Sequence, residues 1–204
     1  MRFIAVAFIF VAQVLSAQNL SLLDRLSERI SKSCLELDYS YSVRMSGVNN
    51  VGQGQLTSQS YMWKMVGNGV EMYCDSSSLW VVDPSRKEVV IEPAAMDEKA
   101  QLQTNPAVLF VHLKDLFDVR ESRSLDTDGV ILYILVPKHK DRIEYFNVEV
   151  AESDLSIRNA LVGLSDGSLI KIEVSSMKLT PVRPVEDFRP RTIFDSSWIV
   201  TDLR

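Results

Sequence analysis

Few side chains in this chain are of the kinds that do covalent or metal chemistry, and their placement argues against it. There are two histidines, His112 and His139, and two cysteines, Cys34 and Cys74. Neither histidine stands at metal-ligand spacing from a cysteine or from the other histidine. His112 falls in an apolar, helix-like stretch and His139 in the Lys-rich turn Lys138-His139-Lys140, so both read as solvent-edge residues. The cysteines lack a neighbouring base that would favour a thiolate. Asp83, Glu88 and Glu92 read as a solvated turn and strand face rather than as a glycosidase pair. There is no G-x-S-x-G elbow, P-loop or dinucleotide fingerprint, and Gly52-x-Gly54 lies in no βαβ unit that would make it a phosphate cradle. The expectation is no catalytic residue, no metal and no cofactor.

The side chains that stand out instead are large and apolar. Between Gly52 and Glu92 the strand-like Tyr61–Val66 sets Trp63 and Met65 on one face and Met62, Lys64 and Val66 on the other, by the two-residue period of a strand. Met72, Trp80 and Val82 follow on the next strands. A sheet apolar on both faces needs cover on both, and Met with aromatic neighbours suits an adaptable apolar pocket. Trp63, Met65, Met72, Trp80 and Val82 are therefore expected to wall a cavity. The bland alternative is an ordinary two-layer core.

The elements that would position this wall are short. Leu20, Leu23, Leu26, Ile30, Cys34 and Leu37 recur at intervals of three and four, predicting one amphipathic helix, with Arg25, Glu28, Arg29 and Lys32 on its other side. From Tyr39 the period becomes two. Strands are expected over 39–45, 53–58, 61–66, 71–74, 79–82 and 88–92, with Ser46–Gly54 as a turn and with tight connections that force antiparallel neighbours. Asn105-Pro106 reads as a helix cap followed by a first-turn proline. Leu109, Phe110, Leu113 and Phe117 then form a bulky stripe, expected to be a lid helix across one face. Further strands are expected over 129–136, 145–151, 156–162 and 169–177, with an edge strand within 192–203. The fold class is α+β, mostly antiparallel: an incomplete (half) β-barrel of about ten strands covered by helices.

The compartment is read from residues 1–17. Arg2, the apolar run Phe3–Leu15 and small residues at Ser16-Ala17 have the order of a signal peptide, and the run is short for a bilayer span. Export with cleavage near Ala17 is expected, the alternative being an uncleaved anchor; residues 18–204 would form a single domain, read as a monomer. The net charge is -5, and without a Lys/Arg stripe nucleic acid is not an expected partner. In an oxidising compartment Cys34 and Cys74 form either one disulfide, tying the first helix to a strand, or two buried thiols.

In its order of elements the chain resembles the periplasmic lipoprotein carrier family, LolA. The resemblance is carried by the G-x-G-x-L of Gly52-Gln53-Gly54-Gln55-Leu56, the aromatic strand Tyr61-Met62-Trp63-Lys64-Met65, and the block Asp75-Ser76-Ser77-Ser78-Leu79-Trp80-Val81-Val82-Asp83-Pro84. Asn105-Pro106, Phe194 and the closing Val200–Arg204 complete the order. It implies a periplasmic carrier with an apolar cavity for acyl chains. Its partners would be acylated lipoproteins, an inner-membrane lipoprotein-releasing transporter and an outer-membrane acceptor. The other reading is an envelope lipid-binding or assembly module. Two positions depart from the family pattern: Leu56-Thr57-Ser58-Gln59-Ser60 lacks the family's basic residue, and Ser76 replaces the glycine of its Asp-Gly turn.

Overall fold

The computed structural model describes residues 22–45, 48–94, 110, 113–125, 129–139 and 142–204. Residues 1–17, expected to be an export segment, and Asn105-Pro106, Leu109 and His112 lie outside them. A helix over 22–31 (α1) buries Leu22, Leu23, Leu26 and Ile30 and leaves Arg25, Glu28, Arg29 and Lys32 in solvent, as its periodicity predicts. It stops earlier than expected: Cys34 and Leu37 belong to strand β1 (Cys34–Met45). Leu37 fits both periods. The polar residues Glu36 and Asp38, alternating with Leu35, Leu37 and Tyr39, favour the strand.

Among the described residues twelve strands, rather than about ten, form one open sheet. After β1 come β2 (Val48–Gln59), β3 (Met62–Gly67), β4 (Val70–Asp75), β5 (Ser78–Asp83) and β6 (Glu88–Pro93). A single helical turn (α2, Leu113–Leu116) leads into β7 (Phe117–Leu125), β8 (Val130–Pro137), β9 (Ile143–Ala151), β10 (Ile157–Leu164), β11 (Leu169–Thr180) and β12 (Ile199–Asp202). The order across the sheet is β12-β6-β5-β4-β3-β2-β1-β11-β10-β9-β8-β7. Every neighbouring pair is antiparallel except β12 beside β6. Phe117 thus starts a strand instead of ending a lid helix. The sequence reading missed β7 because an edge strand tolerates charge, and Asp118, Arg120, Glu121 and Arg123 break its apolar alternation.

β2 also begins earlier than the turn signals suggest. Gly52 and Gly54 sit within the strand, opposite Tyr41 and Tyr39. A Cβ on Gly52 would lie 2.6 Å from the Tyr41 ring, and one on Gly54 would lie 2.9 Å from the Tyr39 hydroxyl. The aromatic rings cover the bare backbone, so these glycines serve close packing, not a bend.

The turns share one device. Asp75, Asp83, Asp154, Asp166 and Asp195 each accept a hydrogen bond from the backbone N–H of a serine two residues on, at 2.8–3.0 Å. Asp75 does more. Its Oδ2 accepts from Arg189 Nε at 2.6 Å, which ties the sheet to a C-terminal strap, residues 181–198, running over the outer face. The strap carries a 3₁₀ turn (Val185–Phe188) with Phe188 fully buried. It is also pinned by Gln59, which accepts from the Arg183 N–H (2.6 Å) and donates to the Arg183 carbonyl (3.0 Å).

The cysteines are free and buried. Register lines run Leu35–Ser58–Trp63–Cys74 across β1 to β4, so Cys74 shares a face with Leu35 while Cys34, its chain neighbour, faces the other way. Three strand spacings, roughly 14 Å, separate the positions, against a disulfide reach of about 4.4–6.8 Å. The disulfide reading gives way to its alternative, two buried thiols, with Cys34 on β1 rather than on the first helix, each thiol pushed up in pKa by its burial.

Two outcomes are expected. Both thiols resist a thiol reagent in the native protein and react on unfolding, and reductant leaves the unfolding midpoint unchanged. Burial alone would raise the Asp75 carboxyl, but hydrogen bonds from Ser78, Ser77 and Arg189 outweigh it and hold it at about 2. Its contribution is complete above the ordinary carboxylate value of 3.8 and is lost as pH falls from there toward about 2. Asp75→Asn should therefore lower stability at neutral pH and flatten part of the acid limb, read by urea unfolding across that window.

Candidate functional site

The two faces of the sheet are built differently, and the inner one is the candidate site. Two cross-strand rows define it: Leu35–Ser58–Trp63–Cys74–Leu79, and Leu37–Leu56–Met65–Met72–Val81–Val90. The other half of the sheet continues it with Met177, Val174, Ile172 and Ile170 of β11, Ala160 and Val162 of β10, Phe146 and Val148 of β9, and Tyr133 and Leu135 of β8. Part of this face is closed. α1 packs its leucines on it, and Phe110 and Phe117 set their rings 5.8 and 5.5 Å from Phe146, in the range of favourable aromatic pairs. Leu113 is buried beside them. Ser27 Oγ donates to the Phe110 carbonyl at 3.5 Å, linking α1 to this second patch of cover.

Cover thins along the strands. On β1 the inward side chains pass from Leu35 (0% exposed) and Leu37 (5%) through half-buried Tyr39, Tyr41 and Val43 to Met45 at 49%. Met65, Met72, Leu79, Ile170, Ile172 and Val174 pack against the core yet remain partly exposed. Carboxylates on this face of β1–β6 occur only at strand ends: Asp83 opposite Glu88 at one end, Glu92 at the other. Asp83 there receives the turn N–H groups of Ser85 and Arg86, a structural duty. Burial pushes the Tyr39 and Tyr133 phenols on this face up in pKa. Among the described residues no three His, Cys, Asp or Glu side chains group as a metal would need. The arrangement can hold an apolar body.

The five expected wall residues do not share one face. Trp63, Met65 and Met72 lie on the inner face. Trp80 and Val82 lie on the outer one, in a second cluster with Tyr73, Val89 and Ile91, where Phe194 and Trp198 of the strap cap them. A strand shows its neighbours alternately, so a run such as Leu79-Trp80-Val81-Val82 must divide between faces. The strap was the unrecognised second cover. Its signal was Phe194 and Trp198, whose rings meet edge-on at 5.0 Å, embedded in a proline- and arginine-rich segment that reads as a loop.

Truncation distinguishes the two walls. Trp63→Ala opens a hole under a side chain 1% exposed and should cost about 3–5 kcal/mol. Trp80→Ala, at a half-buried position, should cost clearly less. Urea unfolding of both variants measures the difference.

No protein-family profile and no curated protein matches the chain. Solved structures do. An uncharacterized conserved protein from Thermus thermophilus is 10% identical with a TM-score of 0.56, over 92% of this chain and 99% of that one. A DUF1329 family protein from Desulfovibrio piger is 13% identical with a TM-score of 0.46, over 83% and 95%. A LolA superfamily protein from Nitrosomonas europaea is 12% identical with a TM-score of 0.44, over 84% and 97%. The Thermus structure establishes that the chain shares its architecture with a solved structure along nearly its whole length.

Proposed function

We propose that the protein is an envelope carrier that shields lipoprotein acyl chains on the inner face of its sheet. The carrying observation is the thinning of cover along β1: an uninterrupted apolar face that runs from full burial at Leu35 to open solvent at Met45. The sequence resemblance of the Gly52–Leu56 and Asp75–Pro84 blocks to the lipoprotein carriers supports the same reading. Each buried CH₂ contributes about 0.8 kcal/mol, so exposing one long acyl chain to water costs on the order of 10 kcal/mol. A lipoprotein crossing an aqueous compartment therefore needs a shield. The shield must also release its load, which suits the unbranched, adaptable side chains of Met65 and Met72.

In this reading the chain is exported, loses residues 1–17, and works in the periplasm as a monomeric half-barrel with helical cover. It takes acylated lipoproteins from an inner-membrane releasing transporter and passes them to an outer-membrane acceptor. Trp63, Met65 and Met72 form the wall. Leu109, Phe110 and Leu113 form the lid, with Phe117 at its junction to the sheet. No covalent step is involved. A second reading, an envelope module holding another lipid or a protein partner, is favoured by one feature: Leu56-Thr57-Ser58-Gln59-Ser60 carries no basic residue where the carrier pattern has one.

Mass spectrometry of material that co-purifies from the native host separates the two. Acylated lipoproteins support the first reading; free lipid or one constant protein partner supports the second; an empty protein that also ignores a palmitoylated peptide sinks both. In the peptide assay Met72→Asp, at a half-buried site, should weaken binding by roughly tenfold or more while circular dichroism confirms the fold, because a charge then faces the acyl chain.

A further inference from the structure

Where the strap crosses β3 and β4 on the outer face, it leaves a cleft of about 240 Å³ whose lining includes Lys64, Tyr73, Arg183, Asp187, Arg189 and Arg191. In a chain of net charge -5, four cations and one carboxylate lining one small space are a local reversal of sign. The nearby carboxylates are themselves engaged, Glu71 by the Tyr73 hydroxyl at 2.6 Å. Asp75, which holds Arg189, is behind the arginine with its side chain 2% exposed. Glu36 holds Arg183 from β1. Asp187 meets Arg191 at 3.2 Å, but that arginine is 87% exposed, and a pair so exposed holds weakly. Lys64 has no carboxylate within ion-pair distance among the described residues; its ammonium lies 5.3 Å from the Tyr73 ring centre. A guanidinium carries five N–H donors, and one carboxylate contact leaves most of them unspent.

The cleft is also held in shape. Gln59 grips the Arg183 backbone through two hydrogen bonds and Asp75 grips Arg189, so little ordering remains to be done on binding. Its volume is too small for an acyl chain and its lining too charged. Fixed arginines beside a lysine suit a compact anion with several oxygens. We propose that this cleft is a binding site for a phosphate group, with Lys64 and Arg191 as the donors that meet it and Arg183 and Arg189 as its fixed floor. The site is separate from the inner face and does not depend on the carrier reading.

The test is titration of the folded protein with inorganic phosphate, followed by backbone amide NMR, against sodium chloride at equal ionic strength. Saturable, phosphate-specific shifts concentrated at residues 64, 73 and 183–192 are expected. Lys64→Gln and Arg191→Gln should each weaken binding by roughly tenfold, the loss of one charge-assisted hydrogen bond. Arg191 is so exposed that its variant should fold normally, which guards against misreading a damaged Lys64 variant. Shifts no different from those in chloride, or unchanged affinity in Arg191→Gln, would overturn the proposal. Vesicles of phosphatidylcholine with and without phosphatidic acid identify the source. Sedimentation only with phosphatidic acid, lost in Lys64→Gln, points to a lipid headgroup; phosphate binding without sedimentation points to a soluble phosphate compound.

Discussion

Everything in this fold answers to one constraint: strands β4 and β5 are apolar on both sides. Met72 and Cys74 point one way and Tyr73 the other; Leu79 and Val81 oppose Trp80 and Val82. A sheet of that kind cannot leave either face bare to water. α1 and the patch around Phe110 answer for the inner face, and the strap with Phe188, Phe194 and Trp198 for the outer one. The two solutions differ in completeness. The outer cluster beneath the strap is small; on the inner face, among the described residues, cover is dense at Leu35 and thins toward Met45.

The strap covers the outer face because it is anchored, by Asp75 on Arg189, by Gln59 on the Arg183 backbone and by the buried Phe188. Asp75 ends β4, receives two backbone N–H groups from its own turn and a guanidinium from more than a hundred residues away. A single buried carboxylate thus shapes a turn and seats the segment that closes the outer face. The same seating turns Arg189 and its neighbours toward a common cleft, so a basic pocket follows from how the outer face is closed.

Much of this was legible in the sequence, for reasons that can be named. α1 shows its 3.6-residue period, and the hairpins around Asn68-Gly69 and Asp75–Ser78 carry turn chemistry, with Asn68, Gly69 and Ser76 all at positive φ. Such local signals survive without tertiary context. What escaped was whatever depends on partners distant in sequence. β7 looks like a polar loop because edges tolerate charge. Residues 48–54 look like a turn until Tyr39 and Tyr41 lie over the glycines. Which of Trp63 and Trp80 faces inward follows from register, and register is a property of the whole sheet.

The seam at β1–β11 has one more consequence. β1 to β6 form a meander of neighbours in sequence order, as do β7 to β11, and the two meet only where β1 lies against β11, pairing Cys34 with Thr180. Each meander closes short loops and can assemble fast; joining them closes a loop of well over a hundred residues. The final seam is thus the natural kinetic bottleneck, and until it forms, two long twelve-residue strands stand with open edges. The chain is most exposed to aggregation in that interval, with its central strands unpaired.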